Sequence, residues 1–283
     1  MTLKIIESVS EMQREADFFR MAGGTISFVP TMGFLHEGHL KLMKIAKSLS
    51  DKVIISIFVN PTQFGPNEDY DQYPRDKEGD LKKAAQAEVD IVFMPTINGM
   101  YPDRYQTKVQ VAEVTQHLCG KSRAGHFDGV CTVVAKLFNS TKPHIAVFGK
   151  KDYQQLAVIR QMVTDLNLDI QIIGAETVRE ADGLAMSSRN KYLNIEERQS
   201  ALCLKKGLDL AKQVFRDGER EGSVFLHALE GLIKAHSFTE IDYITICDPL
   251  TLEKIDILGD KNVLALSIKV GETRLIDNCL LKV

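Results

Sequence analysis

A chain of 283 residues, 44% of them hydrophobic and 26% charged, has the balance of an ordinary globular protein and is long enough for a large domain and a small one. A formal net charge of -3 gives no broad attraction to nucleic acid or a membrane surface, and no apolar run approaches the roughly 20 residues of a membrane helix. The five cysteines lack a C-x-x-C pair and the N-terminus MTLKIIESVSEMQREADFF lacks the apolar core of a signal peptide, so the expectation is a cytoplasmic protein with reduced thiols.

Along the first two thirds, short β-rich runs alternate with helix-like segments. Residues 25–29 (TISFV) read as a strand, and 39–50 as a helix with apolar residues at helical spacing. The run 52–59 (KVIISIFV) is almost continuously apolar and β-branched, as in a strand buried on both faces. An amphipathic stretch at 76–88 leads to a strand at 90–94. A helix at 130–139, a strand at 145–148, a helix at 152–166 and a strand at 169–173 follow. This alternation predicts right-handed crossovers, a mostly parallel sheet and ligands beyond the carboxyl ends of its strands. After about residue 191 the order changes to two helical segments, 195–215 and 223–236, and then strands at 241–247, 263–270 and the final RLIDNCLL run. The fold class is therefore α/β, a Rossmann-like parallel sheet domain over 1–185 followed by a smaller α+β domain over 186–283.

The loops that follow strands carry the polar residues of interest. PTMGFLHEGHL (30–40) joins a strand to a helix start, where backbone N–H groups can meet phosphate. His36 and His39 stand three apart and can line one side of the first turn, and Gly38 permits close backbone approach. Imidazoles there can donate to phosphoryl oxygens; two surface histidines at a helix start is the plainer alternative. No G-x-G-x-x-G fingerprint occupies this turn, which argues against a nicotinamide dehydrogenase. In Asn60-Pro61-Thr62-Gln63 the amides suit an uncharged hydroxyl-bearing ligand, or the Asn-Pro pair simply starts a loop. FGKKDYQQL offers Lys151 as a point charge, Asp152 as a helix cap or ribose acceptor, and Gln155 one turn further on; a solvated helix start is the alternative. MSSRN (186–190) could clamp a triphosphate through two hydroxyls and Arg189, or be an exposed linker. In KSRAGHFDG, Arg123 and His126 sit on a glycine-flanked loop that could close over phosphate or be a turn.

PTMGFLHEGH resembles the His-x-Gly-His signature of the nucleotidylyltransferase superfamily, and MSSRN resembles a shortened KMSKS loop. Within that superfamily the whole chain resembles the pantothenate synthetase (pantoate–β-alanine ligase) family, through VNPTQFGPNEDYDQYPRD, SRAGHFDGV, FGKKDYQQL and READGLAMSSRN in that order. One departure is Lys150, where many relatives have Glu.

The resemblance implies an ATP-dependent condensation of (R)-pantoate with β-alanine through a pantoyl adenylate. His39, His36 and Lys151 would be catalytic. ATP would be held along Met32, Gly33, Phe34, Leu35, His36, Glu37, Gly38 and His39, along Gly149, Lys150, Lys151 and Asp152, and by Val178, Met186, Ser187, Ser188 and Arg189. The resemblance further implies that Gln63 and Gln155, with Asn60, Arg123 and His126, would serve pantoate and β-alanine. It implies Mg²⁺ on the triphosphate with no assignable protein ligand, a C-terminal domain acting as lid, and a homodimer. Two rivals remain at this point: another small nucleotidylyltransferase acting on a phosphorylated precursor, and a non-catalytic nucleotide-binding regulator.

Overall fold

The computed structural model describes residues 3–66 and 68–283; Asn67, inside the NPTQFGPNED segment, lies outside them. Two compact units emerge. The first holds the residues up to Ala112 with Arg123–Lys150 and Gln155–Glu176; the second holds Glu113–Ser122, Lys151–Gln154 and Thr177–Val283. The expected boundary at 185/186 falls at the end of a hairpin whose Met186 N–H donates to Val178 C=O and whose Glu180 N–H donates to Leu184 C=O.

In chain order the first 175 residues form β1 (Lys4–Ile6), α1 (Val9–Met21), β2 (Ile26–Thr31), α2 (Glu37–Leu49), β3 (Lys52–Ile57), α3 (Lys77–Gln86), β4 (Ile91–Phe93), α4 (Ile97–Met100), α5 (Leu118–Ser122), α6 (His126–Thr141), β5 (Ile145–Gly149), α7 (Tyr153–Asp165) and β6 (Gln171–Ala175). The six strands make one parallel sheet in the order β1-β4-β3-β2-β5-β6. The apolar run of β3 lies inside this sheet, with Val53, Ile54 and Ile55 fully buried, as its composition predicts. Val29, Val53, Ile55, Val92 and Val147 of the sheet share a core with Met43 and Ala46 of α2 and Ala84 of α3. From β2 the chain builds outward through β3 to β4, then crosses to lay β5 and β6 on the other side. The loops after β2 and β5 therefore diverge at the switch point, where parallel sheets bind ligands.

The second unit contains α8 (Ile195–Ala201), α9 (Cys203–Arg216), α10 (Gly222–Lys234), β7 (Thr239–Cys247), β8 (Lys261–Val270) and β9 (Thr273–Lys282), the strands antiparallel in the order β7-β8-β9. Leu204, Leu208, Ala211 and Phe215 lie on one stripe of α9 and are buried with Phe225 and Leu229 of α10 and with Leu264, Leu266 and Ile268 of β8. The segment expected as one helix over 195–215 is two. Asn194 and Glu197 form a reciprocal cap at the start of α8, and Leu202 ends α8 while capping α9. All five cysteines are free and buried, small core groups as expected. No helix among the described residues is long and apolar enough to cross a membrane.

Candidate active site

The loop after β2 is shaped by a residue 45 positions away. Gly33 has φ +84° and Phe34 φ +49°, both in the left-handed region. This turns the Phe34 and Leu35 amides onto the two carboxylate oxygens of Asp80 on α3, at 2.8 and 2.6 Å. A Cβ on Gly33 would lie 2.8 Å from Asp80 Oδ2 and 3.0 Å from Ile57 Cγ2, so the site needs glycine for space as well as for φ. Thr31 Oγ1 supports the same turn, donating to Ser56 C=O at 2.6 Å and accepting from Gly33 N–H at 3.1 Å. Asp80 is 1% exposed, and burial pushes its carboxyl above its ordinary value against the pull of the two amides. Sequence reasoning missed Asp80, because an acid within an amphipathic helix reads as a solvated residue.

His36 is the N-cap of α2 and His39 its third residue. His36 Nδ1 accepts from Gly38 N–H at 3.1 Å, and His39 Nδ1 accepts from His36 N–H at 3.3 Å. The two rings lie 4.0 Å apart, tilted by 33°. A ring nitrogen that accepts carries no hydrogen, so each ring proton sits on Nε2. The pair thus offers two N–H donors at the positive end of a helix dipole, a combination suited to phosphoryl oxygens. Leu35, next in line, is buried, while Met32, Gly38 and His39 are partly exposed and Glu37 is exposed.

The loop after β3 is held from two directions. Asn60, 1% exposed, donates through Nδ2 to Gly129 C=O and to Gln63 Oε1, both at 3.1 Å. Its Oδ1 accepts from Tyr101 O–H at 2.7 Å and from Thr62 N–H at 3.4 Å. Arg123 donates to both oxygens of Glu68, at 2.6 and 2.5 Å, and through NH1 to His126 Nε2 at 2.9 Å. With Nε2 accepting, the His126 proton lies on Nδ1, which donates to Gln63 C=O at 2.8 Å. Burial alone would raise the Glu68 carboxyl, but the hydrogen bonds and charge of Arg123 outweigh it and hold the group below its ordinary value. Asn60, Arg123 and His126 thus spend these polar atoms on the loop that carries Gln63.

After β5, Lys150 pairs with Glu176, a partner that gives this departure from the family pattern a surface ion pair. Lys151 Nζ stands 3.6 Å from Asp152 Oδ1, and Lys151 C=O accepts from Asn278 Nδ2 at 2.8 Å. Gln155 lies half-buried in the first turn of α7. In the MSSRN segment, Ser187 caps a short 3-10 turn over Ser188–Tyr192 by accepting from Arg189 N–H at 3.2 Å. Asn190 Nδ2 anchors that turn to Glu180 Oε1 at 2.5 Å and Ala185 C=O at 3.0 Å. Arg179 fastens the hairpin to Asp277 on β9 by two bonds of 2.6 and 3.0 Å. Val178 and Met186 are joined by a main-chain hydrogen bond of 3.0 Å, so two expected nucleotide residues eight positions apart lie side by side. Among the described residues no group of three or more His, Cys, Asp or Glu side chains is arranged to hold a metal ion.

The family model described as pantoate-β-alanine ligase matches residues 4–280. The pantothenate synthetase of Syntrophobacter fumaroxidans is 55% identical over 280 residues, covering 99% of each chain, and that of Geobacter sulfurreducens 52% identical over 279 residues, again 99% of each. Among solved structures, the pantothenate synthetase of Thermus thermophilus superposes with a TM-score of 0.93 at 40% identity, covering 99% of this chain and 100% of that one. The pantoate-β-alanine ligase of Francisella tularensis, complexed with "Beta-gamma ATP" and β-alanine, gives a TM-score of 0.81 at 35% identity, covering 99% and 98%.

Proposed function

The chain belongs to the pantoate-β-alanine ligase family, and from that premise we propose that it condenses (R)-pantoate with β-alanine at the expense of ATP. The observation that carries the reading is the family match across residues 4–280. The geometry of the β2–α2 turn supports it, because two imidazole N–H donors and a helix N-terminus stand where a parallel sheet receives ligands.

A carboxylate is a poor electrophile, so it must first be activated. In the reaction proposed, a pantoate carboxylate oxygen attacks the α-phosphorus of ATP. An O–P bond forms, the bond to the bridging oxygen of pyrophosphate breaks, and pyrophosphate leaves. The amine of β-alanine then attacks the acyl carbon; a C–N bond forms, AMP departs with the acyl oxygen, and the ammonium proton is lost to solvent. No covalent enzyme nucleophile is needed, so the side chains act by alignment and charge stabilisation. His36 and His39 donate through Nε2 to phosphoryl oxygens as charge develops. Lys151, Ser187, Ser188 and Arg189 supply the remaining triphosphate donors, and Gln63 and Gln155 serve pantoate. Mg²⁺ would arrive on the triphosphate and keep several waters. Among the described residues no group of three or more His, Cys, Asp or Glu side chains is arranged to hold it. A homodimer belongs to the same proposal by family likeness, and light scattering tests it.

The deciding assay is isotope exchange between pyrophosphate and ATP. Exchange that requires pantoate, followed by β-alanine-dependent release of AMP and pantothenate, is expected. Exchange that instead requires a phosphorylated acceptor, or ATP binding without exchange, would overturn the reading. His39→Ala should slow adenylate formation by on the order of a hundredfold with the fold intact. A near-normal burst of adenylate in that variant removes His39 from its role.

A further inference from the structure

Gln63 presents only one end of its amide, and a chain of hydrogen bonds decides which. Each link can be assigned from groups whose roles are fixed. The Gly129 C=O can only accept, so the Asn60 atom 3.1 Å away is its NH₂ nitrogen. The Thr62 N–H can only donate, so the Asn60 atom facing it at 3.4 Å is its oxygen. With one hydrogen of Asn60 Nδ2 on Gly129, the other points to Gln63 at 3.1 Å, and the Gln63 atom receiving it must be Oε1. Gln63 Nε2 is therefore turned the other way, where it meets Met32 Sδ at 3.3 Å. A thioether is a weak acceptor and would yield readily to a carboxylate or hydroxyl oxygen.

The strongest contact on Asn60 comes from outside the loop. Tyr101 donates its hydroxyl hydrogen to Asn60 Oδ1 at 2.7 Å, and Thr62 Oγ1 lies 3.2 Å from the same hydroxyl. Burial pushes the phenol up to about 12, so it remains a donor across the working pH range. We propose that Tyr101 is a positioning residue: through Asn60 it locks the Gln63 amide so that Gln63 offers N–H donors to an acceptor oxygen of the substrate. This rests on the reading above that Gln63 faces pantoate.

The test measures steady-state kinetics with pantoate varied and ATP and β-alanine saturating. Tyr101→Phe keeps the ring and removes the hydroxyl. It should raise the pantoate KM about five- to tenfold, the range of one lost hydrogen bond, and leave kcat within about twofold. The ATP KM and the melting temperature serve as internal controls and should not move. In a Gln63→Ala background the same substitution should have no further effect on the pantoate KM. Gln63→Glu should bind pantoate more weakly than Gln63→Ala, because an acceptor-only side chain then opposes an acceptor oxygen. An unchanged pantoate KM in Tyr101→Phe, or an equal loss with and without Gln63, overturns the relay. A pantoate KM unmoved by Gln63→Ala refutes instead the placement of pantoate at Gln63, so the two failures are told apart.

Discussion

Adding one methyl group at Gly129 sets two physical effects against each other. Gly129 is buried on α6, facing the Pro61–Gln63 turn, and its carbonyl accepts from Asn60. A Cβ there would sit 2.6 Å from the Thr62 carbonyl carbon and 2.7 Å from Gln63 Cα, both main-chain atoms. Carbon atoms attract only from about 3.5 Å outward, so helix and turn would have to part by roughly 0.9 Å. Replacing a helical glycine by alanine favours the helix by about 1 kcal/mol, whereas overpacking costs about 1–3 kcal/mol, a net loss of about 0–2 kcal/mol. Stability alone therefore barely diagnoses the contact, but function does. A shift of that size carries Gln63 out of register with its ligand, and misplacement by about 1 Å can cost up to a hundredfold. Gly129→Ala should thus raise the pantoate KM by about tenfold or more at an unchanged ATP KM, measured beside a urea melt. A variant that is more stable and has a normal pantoate KM would show that helix propensity dominates and that α6 does not set the position of the turn.

Asp80→Asn keeps the shape of the side chain but leaves one of the Phe34 and Leu35 amides facing an NH₂ group. The lost bond, about 1.5–3 kcal/mol, is offset by removing a buried charge, so unfolding should change little while single-turnover adenylate formation falls about 10- to 100-fold. Unimpaired adenylate formation would free the β2–α2 turn from its dependence on Asp80. At Glu68 the folded carboxyl lies below its ordinary 4.5, so its contribution to stability is present above that pH and is lost as pH falls through the folded value. Urea midpoints of the native protein should therefore drop more steeply below about pH 4.5 than those of Glu68→Gln; parallel profiles would contradict the coupling.

How much of the fold and the site is legible in the sequence follows from the range of each interaction. The central strands announce themselves as apolar β-branched runs, because burial on both faces constrains every residue in them. The three-residue β1 carries too few positions for a pattern, and it exists by pairing with β4. The two glycines of GHFDG push the expected start of α6 to residue 130; the helix begins at His126, behind Gly125 with φ +78°. The break at Leu202 leaves no glycine or proline to mark it, and its φ of -64° and ψ of -14° are nearly helical. His36 and His39 are readable as a pair, since three-residue spacing at a helix start is a local fact. Asp80, Tyr101 and Glu68 are not, because each acts across a separation of tens of residues that only the fold closes.

The same distinction separates holding a ligand from holding what holds it. Asn60 uses both amide hydrogens and its oxygen inside the protein, and Arg123 and His126 spend their nitrogens on Glu68 and on the Gln63 main chain. A polar residue on a strand-following loop looks the same in sequence whether it faces substrate or protein. Here the side chain of Gln63 is fixed through Asn60 and its backbone through His126, so its amide is oriented before any ligand arrives. Loss of any of these supports would then weaken binding at a distance, because part of the binding energy would be consumed in ordering a loop that the intact network already holds. Gln63 is the narrow point through which both clamps act, which is why its removal should silence the effects of substitutions on either side.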